Sequence, residues 1–237
     1  MRFQSLGGSL EQGRACFRLS VDGGDIILDC GVKRKMGRGF AGEYPLLDEV
    51  RERPAAVIIS HAHEDHCAAL PILCSTYEGL PVYCPAGTPG VIVSFFRAWL
   101  KAVEVAGAPA PYGDREISLV RFVEVAPGDR AHAGGASFTF NPSGHLPGSC
   151  WVDLRVGDTR IVYTGDFCLD NPLLKPPVFE GSASLLIADT AYGDRNLNQA
   201  KQVEKIKRIV FAQGQNGIVL MPLPRIGRGQ ELLALMC

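Results

Sequence analysis

Apolar positions in the N-terminal part of the chain come in short runs that break at glycine. Residues 15–21 are β-rich, Gly23-Gly24 offers a turn, and residues 25–29 set three apolar side chains between Asp25 and Asp29. This pattern predicts a hairpin that ends on Asp29. The continuous apolar run 55–60 fits a buried strand and stops at the polar, histidine-rich stretch 61–66. Residues 68–77 have helical spacing, 81–84 form a short strand, and 91–105 read as an amphipathic helix with Phe95, Trp99 and Val103 on one side. Strand patterns return from Val120. One predicted hairpin has residues 150–156 and 159–164 around Gly157-Asp158, and its second strand runs into Gly165-Asp166. Further on, the pattern predicts a buried strand at 185–188, a helix at 197–213, a strand at 217–223 and the opening of a helix at 230–236. Two β-rich halves, each backed by helices, predict an α/β fold built as a four-layer αββα sandwich. The chain contains no internal repeat, low-complexity tract or obvious linker.

Composition narrows the class without choosing a function. A chain of 237 residues with 46% apolar content can bury a substantial core as one large domain or two small ones. A net charge of −1 gives no global reason to expect nucleic acid or an anionic membrane, so any basic surface must be local. One such place is residues 32–38, where Lys33, Arg34, Lys35 and Arg38 occur without an acidic neighbour. It is expected as a basic loop near Asp29, either contacting phosphates or merely solvated. The N-terminus lacks the apolar core of a signal peptide, and no run approaches the roughly 20 apolar residues that span a bilayer. The expected location is therefore intracellular, in the cytoplasm, without membrane partners. Cys16, Cys30, Cys67, Cys74, Cys84, Cys150, Cys168 and Cys237 are scattered in apolar surroundings, which predicts reduced core residues rather than disulfides.

The chemistry is concentrated in SHAHEDH. Alternation puts His61 and His63 on one side for one metal, while Asp65 and His66 lie a turn further on for a second. His145, in PSGHLPGS, and Asp166, in YTGDF, each follow a glycine at a strand end and complete a dinuclear set. Alone, either would more often be a satisfied loop residue. Three histidines and an aspartate within six residues after a buried strand have no packing explanation, because unpaired buried polar groups are costly. His132, in a glycine-rich segment, is expected to be an exposed turn residue.

The pattern His61-x-His63-x-Asp65-His66, with a later Gly-His and Gly-Asp, resembles the signature of the metallo-β-lactamase superfamily. EQGRACF, DTAYGDR and PLPRIGRGQELL resemble segments of its β-CASP branch, the nucleic-acid-processing members such as the mRNA 3′-end-processing endonuclease and ribonuclease J. The resemblance implies a metallo-β-lactamase sandwich, incomplete on its C-terminal side, with residues 1–224 as core and 225–237 as the start of a cap. It implies that His61, His63 and His145 hold one zinc, Asp65 and His66 a second, and that Asp166 bridges them. Asp29 would hold the histidine loop by hydrogen bonds. Asp189 stands where the family often has Glu and would orient a later histidine, while Glu64 and Ala68 depart from the pattern without removing a ligand. Full members contribute two more histidines after their cap. Of the five here, four are placed and His132 comes too early in the chain. A C-terminal segment or a partner is therefore expected to complete the second zinc site and supply the leaving-group acid.

Two zinc ions about 3.5–4 Å apart can activate water beside phosphorus and offset charge on a phosphoryl oxygen, with Asp65 orienting that water. The expected function is thus a zinc-dependent phosphodiester hydrolase, a nuclease acting on RNA rather than DNA. A hydrolase of thioesters or lactones uses the same superfamily core. A non-catalytic scaffold for RNA or a processing partner is the third reading, against which stands the retention of every ligand that the chain's length permits.

Overall fold

The computed structural model describes residues 1–37, 39–191, 193, 199–215 and 217–236. Strand β1 (Arg2–Gly7) pairs with β2 (Cys16–Val21), which forms the expected hairpin with β3 (Gly24–Leu28). Strands β4 (Lys33–Gly37) and β5 (Phe40–Glu43) make a small separate ribbon. Next come β6 (Ala56–Ile58), helices α1 (Glu64–Cys67) and α2 (Leu70–Thr76), β7 (Pro81–Pro85), α3 (Pro89–Val105), α4 (Asp114–Ser118) and β8 (Arg121–Val125). The first sheet has the order β1-β2-β3-β6-β7-β8, with β3, β6, β7 and β8 parallel. The second sheet is built from β9 (Arg130–Ala133), β10 (Ala136–Pro142), β11 (Cys150–Val156), β12 (Thr159–Tyr163) and β13 (Leu185–Ile187), antiparallel except where β13 joins β12. Helices α5 (Gln199–Gly214) and α6 (Arg228–Met236) follow.

Strand alternation explains where the core sits. Ile26, Leu28 and Ile58 point into a cluster shared with Phe138, Phe140, Val152, Leu154 and Ile161, which glues the two sheets face to face. Their chain neighbours Ile27, Val57 and Ile59 point the other way, into a cluster with Leu70, Phe96, Trp99 and Val103 from α2 and α3. Sheets buried on both faces need continuous apolar strands, which is the pattern of residues 55–60. The α/β sandwich class holds, with helices on the first sheet and α5 largely exposed. The described cysteines are free thiols, buried except for the half-buried Cys168, and Cys237 lies outside the described residues. No helix among the described residues is long and apolar enough to cross a membrane.

Four expectations change. Residues 33–37 are a strand of the β4–β5 ribbon, not a loop, because each cation there finds a carboxylate that fixes it. Strand β13 is an edge with Leu186 60% exposed rather than a buried strand, since among the described residues only β12 pairs with it. Residues 217–223 form no strand: they have no ladder partner among the described residues, and Ile218 and Leu220 remain exposed. His132 is exposed as expected but lies on β9 instead of in a turn. Beyond residue 224, Ile226 packs on the helix-side core and Leu232 of α6 is buried.

Candidate metal centre

The proposed ligands come from loops at one end of the sandwich. β6 delivers the 61–66 segment, β10 runs into His145, and β12 runs into Asp166. The histidine segment is clamped by backbone. Ala15 N–H donates to Asp65 O at 2.9 Å, Cys30 N–H to His66 O at 2.8 Å and Val32 N–H to Glu64 O at 3.1 Å. Gly31 sits so close beneath it that a Cβ there would fall 1.7 Å from Asp65 O, which is why no larger residue fits. Gly144 and Gly165, at φ 71° and 49°, make the sharp turns expected beside His145 and Asp166.

Four donor groups converge. His63 Nδ1 lies 3.2 Å from both His61 Nε2 and His145 Nε2, and Asp166 Oδ2 lies 3.8 and 3.5 Å from those two Nε2 atoms. One atom from each residue fits within 4.8 Å of all the others. These spacings resemble the edges of a tetrahedron around an ion bonded at about 2.0–2.2 Å. The neighbours fix the tautomers that such binding needs. Ser60 gives its hydroxyl proton to Asp29 Oδ2 at 2.7 Å, so His61 Nδ1 donates to Ser60 Oγ at 3.0 Å and its Nε2 is left bare. His63 is met edge-on by Phe95 of α3. Burial lowers the pKa of His61, His63 and His145, the last to about 4, so their electron pairs are available at neutral pH. Bare nitrogens facing one another repel unless a cation lies between them. The donor set therefore fits a metal ion.

A second group is more open. His66 Nε2 is 3.2 Å from Asp166 Oδ1 and 4.0 Å from Asp65 Oδ2. Asp29, fully buried, anchors it: Oδ1 accepts Ser60 N–H at 2.7 Å, and Oδ2 accepts Ser60 Oγ, His66 Nδ1 and Tyr163 OH. Burial opposes charge on His66, but Asp166, Asp65 and Asp29 together raise its pKa well above the ordinary histidine value. Burial likewise disfavours the Asp166 carboxylate, but His66 and its neighbours outweigh it and keep that group ionised. Asp189 faces the same cleft, half-buried, with its pKa raised by burial, and accepts Ala191 N–H at 2.7 Å. The cleft, about 430 Å³, is walled on its far side by residues 8–13, a loop that includes the start of the EQGRACF segment but that was not expected to line the site.

The basic positions behave differently from the ligands. Lys33 pairs with Glu11 at 2.8 Å, Lys35 with Glu43 at 3.2 Å, and Arg34 makes two 2.7 Å bonds to Glu64 while lying over the Trp99 ring. Glu64, the unusual residue within the histidine motif, is thus the anchor for Arg34. Arg38 lies outside the described residues, as do Tyr192, Asp194 and Arg195 of the DTAYGDR segment. Ser60, Tyr163 and Glu64 were missed as site residues, although Ser60 precedes His61 directly and Tyr163 ends the strand leading to Asp166.

This fold, with histidines and aspartates gathered at the strand ends in a group that could hold a metal ion, is of the metallo-β-lactamase class. The chain belongs to the β-lactamase superfamily, whose domain matches residues 25–214. Among similar curated proteins, the probable RNase MJ4 of Methanocaldococcus jannaschii is 31% identical, over 97% of this chain and 55% of its own length. The transcription termination factor FttA of a Lokiarchaeum species is 29% identical over 100% and 39%. RNase aCSPSF2 of Saccharolobus solfataricus is 29% identical over 98% and 47%. The chain spans about half the length of these relatives, which are of the β-CASP kind that the sequence motifs implied. A crystal structure of a protein of unknown function from Enterococcus faecalis V583 shares the fold, with a TM-score of 0.58 and 16% identity, covering 89% of this chain and 57% of that one.

Proposed function

We propose that this chain carries the catalytic core of a zinc-dependent, β-CASP-type nuclease that hydrolyses RNA, with residues 1–224 as core and 225–237 opening a second region. The observation that carries the reading is the convergence of His61, His63, His145 and Asp166 beside His66 and Asp65. The names of relatives, two of them RNases, support the substrate class. His61, His63 and His145 would hold one zinc, Asp65 and His66 a second, and Asp166 both. When bound, the ions would supply Lewis acidity toward a water and a phosphoryl oxygen. The chain's own residues do the rest. Asp29 and Ser60 keep His66 and His61 in metal-binding tautomers, Asp65 turns its second oxygen toward the attacking water, and the cleft bounded by residues 8–13 and Asp189 receives the strand. The four-donor group should bind zinc tightly and the open group weakly. His132 lies on β9, whose hairpin with β10 packs against Gly23 at the opposite end of the sheets. A further segment or a partner would therefore supply the leaving-group proton and the last ligand, and an intracellular setting suits this chemistry.

The test is single-turnover cleavage of a labelled single-stranded RNA by zinc- or manganese-loaded protein in excess. Elemental analysis with chelator titration runs alongside. Expected are slow cleavage abolished by Asp65→Asn, one tight and one weak zinc, and loss of the tight zinc in His61→Ala. A metal-loaded protein that spares RNA but opens a thioester or lactone would overturn the nuclease reading.

A further inference from the structure

Residues 8–13, between β1 and β2, line the cleft together with Asp65, His66, Asp166 and Asp189. Bonds at the stem of this loop fix its place relative to the proposed ligands. Ala15 N–H donates to Asp65 O at 2.9 Å, and Gly31 N–H donates to Ala15 O at 3.0 Å. The two ends of the loop press together, since a Cβ on Gly7 would fall 2.4 Å from Arg14 O. Within the loop, Glu11 is committed to shape: its carboxylate accepts Gly8 N–H at 3.1 Å, Arg14 Nε at 2.6 Å and Lys33 Nζ at 2.8 Å. Arg14 Nη1 donates onward to Tyr44 O at 3.0 Å.

Leu10, next to Glu11, does the opposite. Its side chain is fully exposed, and its backbone sits at φ 57°, a left-handed conformation that bulky residues rarely adopt. It belongs to neither core cluster. Folding gives no reason for a leucine at this position, because Gly or Asn would hold the same turn with less strain. Strain that the surrounding structure maintains is concentrated at binding and catalytic sites, and Leu10 lies on the wall of the cleft that holds Asp65 and His66. Apolar neighbours are present there too, for Ala15, Phe17 and Ile187 line the same cleft.

We propose that Leu10 is a substrate-binding residue that packs against a nucleobase of the strand in the cleft. The proposal rests on the reading of this chain as an RNA hydrolase and names what the cleft grips besides phosphate. Single-stranded RNA presents unstacked bases whose flat faces are covered favourably by protein side chains. Leucine is among the apolar side chains that proteins insert beside bases. A residue held outward by a rigid loop also loses little freedom when the base arrives.

The experiment is fluorescence anisotropy of a short labelled oligouridine, and of an abasic ribose-phosphate oligomer of equal length, with the zinc-loaded chain. Wild type, Leu10→Asn and Leu10→Met are compared, and a gel confirms that the RNA stays intact during the titration. Asn suits the left-handed backbone but removes the apolar surface, whereas Met keeps that surface. Leu10→Asn should bind oligouridine roughly fivefold more weakly, the order expected for covering about half of a leucine. Leu10→Met should stay within about twofold of wild type. All three should bind the abasic oligomer alike, and the urea midpoint of metal-free Leu10→Asn should not fall. Equal affinity of wild type and Leu10→Asn for oligouridine overturns the proposal and leaves the RNA reading standing. An equal loss on both oligomers overturns it as well, because the loop would then act on the backbone of the strand. So does a lowered urea midpoint in Leu10→Asn, since the leucine would then be holding the loop. A wild type that binds neither oligomer overturns the proposal together with the RNA reading. Oligouridine bound in the expected pattern but never cut would uphold the proposal and strike the nuclease reading alone.

Discussion

His66 donates its Nδ1–H to Oδ2 of Asp29 across 2.7 Å, in the interior of the protein. That bond leaves His66 Nε2 facing Asp166 at 3.2 Å and selects the tautomer that can bind a metal there. Asp29 holds φ 56°, a left-handed conformation that Asp and Asn accept more easily than most residues. Asp29→Asn is therefore compatible with the backbone but sets an NH2 group among the donors Ser60, His66 and Tyr163. At least one buried donor loses its acceptor, at a cost of about 1–3 kcal/mol. Metal affinity of the group containing His66 should fall roughly 10- to 100-fold. Chelator competition for the metal and denaturant unfolding of the metal-free protein measure the two effects. Unchanged affinity would show that Asp29 does not set the His66 tautomer.

The β4–β5 ribbon offers a contrast. Its cations face Glu11, Glu64 and Glu43, and Arg34 also lies 5.7 Å from the Trp99 ring centroid, so the ribbon carries little uncompensated charge. Replacing Lys33, Arg34 and Lys35 together by Gln should change RNA affinity by less than about threefold at moderate salt, with a nearly unaltered salt slope. Fluorescence anisotropy with a labelled single-stranded RNA, titrated across salt concentrations, checks this. A large loss of affinity with a flattened slope would restore the ribbon as a phosphate contact.

The contrast also shows what the linear pattern holds. The hairpin ending on Asp29 and the β11–β12 hairpin leading to Asp166 are local: apolar alternation and glycine turns specify them within a few residues. The clustering in SHAHEDH is equally local. What depends on distant partners was invisible. Lys33 to Lys35 look like a bare basic run because Glu11, Glu64 and Glu43 are remote or unremarkable in sequence. Residues 217–223 alternate like a strand, but a strand also needs an edge to pair with, and composition does not reveal whether one is present. Ser60 reaches Asp29 only once β6 pairs with β3, and Tyr163 only once the second sheet is stacked on the first.

Glu11 links the cleft wall to pH. Its Oε1 accepts Gly8 N–H at 3.1 Å and Arg14 Nε, and its Oε2 accepts Lys33 Nζ at 2.8 Å. These bonds hold a loop in which Leu10 and Arg14 take φ 57° and 44°, left-handed values that cost non-glycine residues energy. Burial alone would raise the Glu11 pKa, but Lys33, Arg14 and Gly8 prevail and lower it from 4.5 to about 2. A carboxylate whose pKa is depressed on folding stabilises the fold above its unfolded value and loses that contribution as pH falls through its folded value. The stability difference between wild type and Glu11→Gln should thus be constant from neutral pH down to the unfolded value of 4.5, shrink below it, and vanish near 2. Urea unfolding of the metal-free proteins across that range measures it, free of acid-driven metal release. Because this loop lines the cleft beside Asp65 and His66, Glu11→Gln should also raise KM for RNA at neutral pH while leaving zinc content unchanged. A difference in stability that persists undiminished to pH 2, or one that grows as the solution is acidified, would show that the Glu11 charge is not what holds the loop.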